Sequence, residues 1–200
     1  MQLKQAIIDG QLAPGQPLVE VTLARAINLS RTPVREALSR LEKDGLVAHN
    51  ERGVVVRERS PDEILDLYQV RILLEEECAR DAATRRTTAD LLSLRRLTTR
   101  PLAEADSSTE IVRRNRAFHQ AVWRASHNSA LVDLLERLDL HLARYPATTL
   151  QYPGRAKSAS EEHVQLLAAI EASDPERAAA VANHHFSTAR SIRMALWEQS

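Results

Sequence analysis

Apolar residues recur at helical spacing through most of this chain, and the clearest break in that rhythm lies between Leu23 and Leu41. Leu23, Ala24 and Ile27 give a first short helix one apolar face. Asn28 interrupts the period, and asparagine tolerates the left-handed backbone that helix ends often use. Thr32-Pro33 then reads as a helix start: a capping hydroxyl, followed by a residue with φ preset and no amide proton to leave unpaired. Val34, Ala37, Leu38 and Leu41 face back towards the first helix, which leaves Arg31, Thr32, Arg35 and Ser39 turned to solvent or a partner. Two short helices joined by a tight turn, the second opening with exposed Arg and Thr, predict a helix-turn-helix whose second helix enters the DNA major groove.

The flanks extend this pattern. Leu3, Ile7 and Ile8 predict a helix over residues 1–11 ended by Gly10, and Ala13-Pro14-Gly15-Gln16-Pro17 is a turn-rich break. Gly45 is a helix stop. Leu46-Val47-Ala48 and Val54-Val55-Val56 are β-prone runs, with His49 to Gly53 between them as the turn of a hairpin wing. Arg52 at its tip is placed to reach a minor groove or a phosphate; a solvated loop arginine is the plainer alternative. At Ser60-Pro61-Asp62-Glu63 a new helix begins, with Ser60 as cap, Pro61 in the first turn and Glu63 completing a capping box. The domain boundary is placed there, giving domains 1–59 and 60–200. No β-like run follows. Six amphipathic helical stretches do, roughly 61–84, 88–104, 108–126, 129–145, 156–172 and 175–198, with the longest break from Pro146 to Gly154. The expected fold is mainly α: a winged helix-turn-helix of three helices and a small β-hairpin, then an all-α six-helix bundle.

Composition changes this picture little. The 200 residues carry 27 Lys/Arg and 27 Asp/Glu, so no global basic field marks a nucleic-acid binder. The charge is uneven: residues 1–59 hold nine basic and seven acidic side chains, the remainder eighteen and twenty. A local basic patch supplies phosphate contacts even in a neutral chain. The single cysteine, Cys78, excludes an intramolecular disulfide and reads as a small core residue. No apolar run is long enough to span a bilayer.

The placement of the histidines matters more. His119 follows Asn115 by four residues, so both share one helix face, and Phe118 and Val122 suggest that this face borders the core. His163 opens the fifth bundle helix ahead of Leu166, Leu167 and Ile170, and His184 and His185 lie midway along the last helix beside Phe186. Three imidazoles from three helices with one oxygen ligand would form a site for a divalent ion. Surface or hydrogen-bonded core histidines are the alternative.

Ser30-Arg31-Thr32-Pro33-Val34-Arg35-Glu36-Ala37-Leu38, followed by Leu41-Glu42-Lys43-Asp44-Gly45-Leu46-Val47, resembles the signature of GntR-family transcription regulators over the first sixty or so residues. That family usually has Gly where Asn28 stands, and it often carries more residues ahead of the first helix, so Met1 need not be the native start. The second region resembles the FCD effector-binding domain of the FadR-type branch, in a six-helix, VanR-like form, through Arg71-Ile72-Leu73-Leu74-Glu75, Phe118-His119, His163 to Ile170, and Asp174 with Ala178 and His185. The resemblance implies a cytoplasmic homodimer that binds a twofold DNA operator and acts as a repressor responsive to a small organic or sugar acid. On such an operator Arg31, Thr32 and Arg35 would make the contacts, with Ser30 and Thr32 on phosphate and Arg52 and Gly53 from the wing; Arg40 points elsewhere on the helix and serves phosphate or nothing. The resemblance also implies a divalent metal (Zn, Ni or Mn) on His119, His163 and His185, with His184 a neighbour. Asn115 stands at the position where many members have Asp, which weakens the expected affinity without moving the site. Arg71, within the stripe of Leu67, Tyr68 and Leu74, is the candidate partner for the acid; a structural ion pair is its other reading.

Two further classes compete. One is a helical-bundle metalloenzyme with a winged-helix adaptor, in which metal-bound water hydrolyses a substrate. Against it, no His-Glu-x-x-His motif occurs, and Glu162 is expected on a different helix face from His163. The other is a metal-free structural dimerisation module.

Overall fold

The computed structural model describes residues 2–8, 10–51, 53–143 and 149–198. The chain divides into two compact units, Met1–Ser60 with Arg137–Pro146, and Pro61–Glu136 with Ala147–Ser200.

In the first unit, α1 (Gln2–Ile8), α2 (Glu20–Ala26) and α3 (Arg31–Lys43) precede an antiparallel hairpin of β1 (Val47–Asn50) and β2 (Gly53–Val56). Leu3, Ile7, Leu18, Ala24, Val34, Leu38, Leu41, Leu46, Val47 and Val56 form one buried cluster. The helical faces read from the sequence are therefore the ones that pack. The α2–α3 turn is a Schellman end: Leu29 N–H donates to Ala24 O at 2.9 Å and Asn28 N–H to Arg25 O at 3.2 Å. Asn28 itself sits at φ 52°. The start of α3 differs from expectation. Ser30, not Thr32, is the N-cap residue, its side chain makes no capping hydrogen bond, and Pro33 is the third helical residue. The first four amides of a helix all lack intrahelical partners, so a proline anywhere in that turn is tolerated and does not fix the start. The hairpin is tighter than the sequence suggested, with Asn50 paired to Gly53. Its outer edge is partly covered, because Leu18 N–H donates to Val54 O at 2.8 Å and Val56 N–H to Gln16 O at 2.9 Å.

From Pro61 onward the described residues form six α-helices: α4 (Pro61–Arg85), α5 (Thr88–Thr98), α6 (Ser108–Ala125), α7 (Ser129–Ala143), α8 (Arg155–Glu171) and α9 (Pro175–Glu198). The stretch expected to be helical over 88–104 is shorter. It ends at Thr98, and a single 3-10 turn follows at Leu102–Glu104. Pro101 has no amide to continue the ladder and disfavours helical backbone before it. Leu102 N–H instead bonds to Ser160 Oγ of α8 at 2.8 Å.

The bundle is organised around antiparallel α4 and α9. Arg80 meets Glu176 at 3.1 Å, Asn183 donates to Glu76 at 3.0 Å, and Arg71 lies over the Phe186 ring at 4.7 Å. Ala79, Ala82 and Ala83 of α4 and Ala178 and Ala182 of α9 belong to one fully packed core with Leu94, Phe118, Val122, Leu166 and Ile170. Small side chains let two helix backbones approach closely, so the aromatic and imidazole rings fit beside this seam. Cys78 is wholly buried with Trp123, Leu131 and Leu135, as expected for a small core residue. No described helix is long and apolar enough to cross a membrane.

The turn at Asn28 gives a test. A left-handed residue with a Cβ costs about 1–2 kcal/mol, which asparagine partly relieves and glycine avoids. Asn28→Ala is expected to destabilise the first unit by about 1 kcal/mol, whereas Asn28→Gly leaves it unchanged or slightly more stable. Urea denaturation followed by circular dichroism reads the difference.

Candidate operator-reading face and metal centre

The first site lies on α3. Ser30, Arg31, Thr32, Arg35 and Arg40 are all exposed, and so is Gly53 in the wing, at φ 94°. Arg52 lies outside the described residues. Arg31 and Arg35 are one turn apart and share a single acidic partner. Arg35 grips Glu20 of α2 with two bonds, Nε to Oε1 at 3.0 Å and a terminal nitrogen to Oε2 at 3.1 Å, and Arg31 reaches the same carboxylate at 3.4 Å. These hydrogen bonds, Arg35 first, hold the Glu20 carboxyl below the usual carboxylate range. At this exposure the pair orients more than it stabilises. Arg40 lies nine residues from Arg31, half a helical rotation away. It lines a groove with Leu3, Ile27, Leu29 and Pro33.

The second site is built by α6, α8 and α9. His119, His163 and His185 are each buried, and their donor atoms lie within 4.8 Å of one another. The His119 ring centroid is 4.9 Å from both of the others, which are 5.1 Å apart. Aromatic walls fix the rings: Phe118 stacks on His163 at 4.0 Å, and Phe186 touches His119 at 4.9 Å and His185 at 4.8 Å. His163 stands in the middle of α8 rather than at its start, because the helix already begins at Arg155. His184 is exposed, as its register implied.

Burial, reinforced by the neighbouring imidazoles and by Arg71 and Arg155, pushes His119 well below the ordinary imidazole value. Burial does the same to His163, with His185 and Arg155 adding to it. Burial also lowers His185, although its hydrogen bond to Glu162 works the other way. All three are therefore neutral near pH 7 and each keeps one nitrogen lone pair, the state in which imidazole ligates metals.

A divalent ion fits this arrangement on direct grounds. Nε2 of His119, Nε2 of His163 and Oδ1 of Asn115 are buried with no hydrogen-bond partner. Native interiors rarely leave polar atoms so, and an ion among the three imidazoles would satisfy the two nitrogens. Asn115 lies one turn before His119 on the same face of α6.

Arg71 forms the structural ion pair of its second reading. Its Nε pairs with buried Glu75 at 3.2 Å, and its guanidinium covers the ring of Phe186 that walls the histidines. Trp123 Nε1 donates to the other Glu75 oxygen at 2.7 Å. Glu162, set by the sequence on a different helix face from His163, is nonetheless buried, accepting from His185 Nδ1 at 2.6 Å and from Arg155 at 2.6 Å. Adjacent residues on a helix differ by about 100°, and a helix clamped between two others buries more than one stripe. Arg155 and Trp123 carried no sequence signal that set them apart from surface or core positions.

With this geometry in hand, the relatives place the chain. Residues 1–56 match "Bacterial regulatory proteins, gntR family" and residues 66–188 match "FCD domain". The chain is 31% identical over 194 residues to the uncharacterized HTH-type transcriptional regulator YdhC of Bacillus subtilis (strain 168), covering 93% of this chain and 85% of that protein. It is 31% identical over 214 residues to the Glc operon transcriptional activator of Escherichia coli (strain K12), covering 94% and 84%. Among solved structures, E. coli McbR/YncC superposes with a TM-score of 0.79 at 26% identity, covering 98% of this chain and 95% of that one. The chain belongs to the GntR family of transcription regulators and carries an FCD effector-binding domain. GntR regulators bind DNA operators and usually dimerise, and FCD domains are often metal-binding. Neither the family nor these relatives are enzymes, which removes the metallohydrolase reading.

The buried imidazoles generate a pH prediction for chelator-treated protein. In the unfolded chain they take up protons below about pH 6.5; folded, they resist until the pH is well lower. Stability is therefore complete above that value and falls as pH drops, by up to about 1.4 kcal/mol per pH unit for each imidazole. Glu162 extends the loss at lower pH, since its carboxyl is held down from 4.5 to about 2: burial alone would raise it, but hydrogen bonds from His185 and Arg155 prevail. Thermal melts between pH 7.5 and 5.5 should show a falling midpoint; a flat profile would contradict neutral buried imidazoles.

Proposed function

We propose that the chain is an operator-binding regulator whose DNA affinity is set by a small carboxylate held at a metal centre of Asn115, His119, His163 and His185. The observation that carries this reading is the pair of unpartnered, buried Nε2 atoms of His119 and His163 beside His185. A bound divalent ion (Zn, Ni or Mn) would supply open coordination positions for a carboxylate oxygen. The four ligands carry no charge, and Arg71 and Arg155 are each already matched by one carboxylate. An anionic effector thus supplies charge that the protein leaves out. Arg71 is the residue to take the acid's second oxygen, exchanging part of its contact with Glu75 for a bidentate pair.

On the DNA side, Arg31 and Arg35 read guanine in the major groove, Ser30 and Thr32 take phosphates at the α3 N-terminus, and Arg40, Arg52 and Gly53 add flanking and wing contacts. The Glu20 carboxylate, which meets both arginines, supports this reading by restraining them together on the exposed side of α3. The working form is a cytoplasmic homodimer on a twofold operator, for half-site symmetry mirrors protein symmetry. The effector acts by binding one arrangement of the protein better than another. Repression is the expected sign. That sign depends on where the operator lies relative to its promoter, and a relative in Escherichia coli bears the name of an activator.

Arg35→Ala is expected to weaken operator binding by about tenfold to a hundredfold at fixed salt, with non-specific DNA affinity nearly unchanged. Fluorescence anisotropy on both DNAs measures this, and equal operator affinity would remove Arg35 from the reading set. For the effector, a thermal-shift screen of small carboxylates on metal-loaded and chelator-stripped protein should find acids that raise the melting temperature of the loaded form only. Stabilisation independent of metal would favour a metal-free pocket at Arg71, and no stabilisation at all the structural module.

A further inference from the structure

Glu162 and Arg155 are neither ligands nor effector contacts in the proposed function, yet both are almost wholly buried against the centre. The hydrogen-bond pattern around them has one consistent solution. Arg155 is a donor only. One terminal nitrogen gives hydrogen bonds to Glu162 Oε1 at 2.6 Å and Ser158 Oγ at 3.0 Å. The other donates to the His185 backbone carbonyl at 3.1 Å and lies 3.2 Å from His185 Nδ1. Glu162 Oε2 is 2.6 Å from the same Nδ1. An ionised carboxylate only accepts, so a contact that short requires the proton on Nδ1. Arg155 then bonds the carbonyl instead of the ring, and the His185 lone pair is left on Nε2. That is the same nitrogen that His119 and His163 leave unpartnered.

We infer that Glu162, clamped by Arg155, is the positioning residue of the centre: it fixes His185 as the Nδ1–H tautomer with Nε2 free to ligate. It also provides, one shell outside the ligands, a carboxylate charge that Asn115 does not. A carboxylate hydrogen-bonded to a ligating imidazole raises the basicity of that ligand and fixes its ring. The inference rests on the metal reading above. A plain structural role, in which Arg155 and Glu162 only tie α8 to α9, would alter fold stability but not metal affinity.

The test uses the full chain and Zn2+ as the probe. Affinity is measured by competition with a chromophoric chelator for the wild type, Glu162→Gln, Glu162→Ala and the exposed neighbour Glu161→Gln. The Gln variant keeps an oxygen that can accept from Nδ1 but loses the charge. It is expected to bind Zn2+ about tenfold to a hundredfold more weakly while still folded, although its metal-free melting temperature falls because Arg155 loses its buried counter-charge; Glu162→Ala loses at least as much affinity, and Glu161→Gln none. In parallel, 15N chemical shifts of the metal-free wild type should show His185 protonated at Nδ1. Wild-type affinity in Glu162→Gln, or an Nε2–H tautomer at His185, overturns the assignment and leaves the metal reading standing. A wild type that takes up no Zn2+ overturns both.

Discussion

An imidazole nitrogen without a hydrogen-bond partner inside a helical core costs about 1–3 kcal/mol, and this bundle buries two side by side, on His119 and His163. That unmet demand is the constraint on which much of the second unit depends. It is tolerable because the rings are neutral and the walls are aromatic: Phe118 stacks on His163, and Phe186 meets His185 edge-on and His119 at a tilt. It also requires the flanking charges to balance locally. Around the cluster stand two ion pairs, half-buried Arg71 with buried Glu75 and buried Arg155 with buried Glu162. A buried ion pair gains little net stability over apolar packing, but removing one member strands the other at high cost. Such pairs earn their place through orientation, and here they present one imidazole tautomer and one guanidinium at a defined position.

The alanine seam between α4 and α9 follows from the same requirement. With Ala79, Ala82 and Ala83 facing Ala178 and Ala182, backbone approach replaces side-chain bulk. Farther along the same helices, Arg71 and Phe186 meet and the polar centre begins. A dense apolar half thus offsets a strained polar half. An ion bound in such a place would add stability to the folded state by mass action and would link α6, α8 and α9 through its ligands.

In the first unit, order is supplied to exposed groups rather than buried ones. Arg31 and Arg35 lie on α3, but both are bound by one carboxylate, Glu20 of α2. Long side chains lose much rotamer freedom on binding, so such restraint would lower the cost of meeting a partner even where the ion pair adds little to stability.

The sequence alone determined the order of elements, the faces of α2 and α3, the left-handed turn at Asn28 and three of the imidazoles, because each is written in local periodicity or in a motif of fixed spacing. Its errors were local too. Pro33 lies deeper in α3 than Thr32-Pro33 implied, since every first-turn amide is free; and Pro101 ends α5 where apolar spacing alone would continue it. Only the tertiary structure decided which carboxylates and guanidinium groups turn inward. Glu162 sits one residue from His163 and Arg155 follows a loop, so neither spacing nor composition separates them from the many exposed charges around them. Their role arises where α8 and α9 meet, with Glu162 and His185 23 positions apart in the chain. Contacts between distant segments leave no periodic trace in a single sequence, because they are fixed by how helices cross and not by how each one repeats.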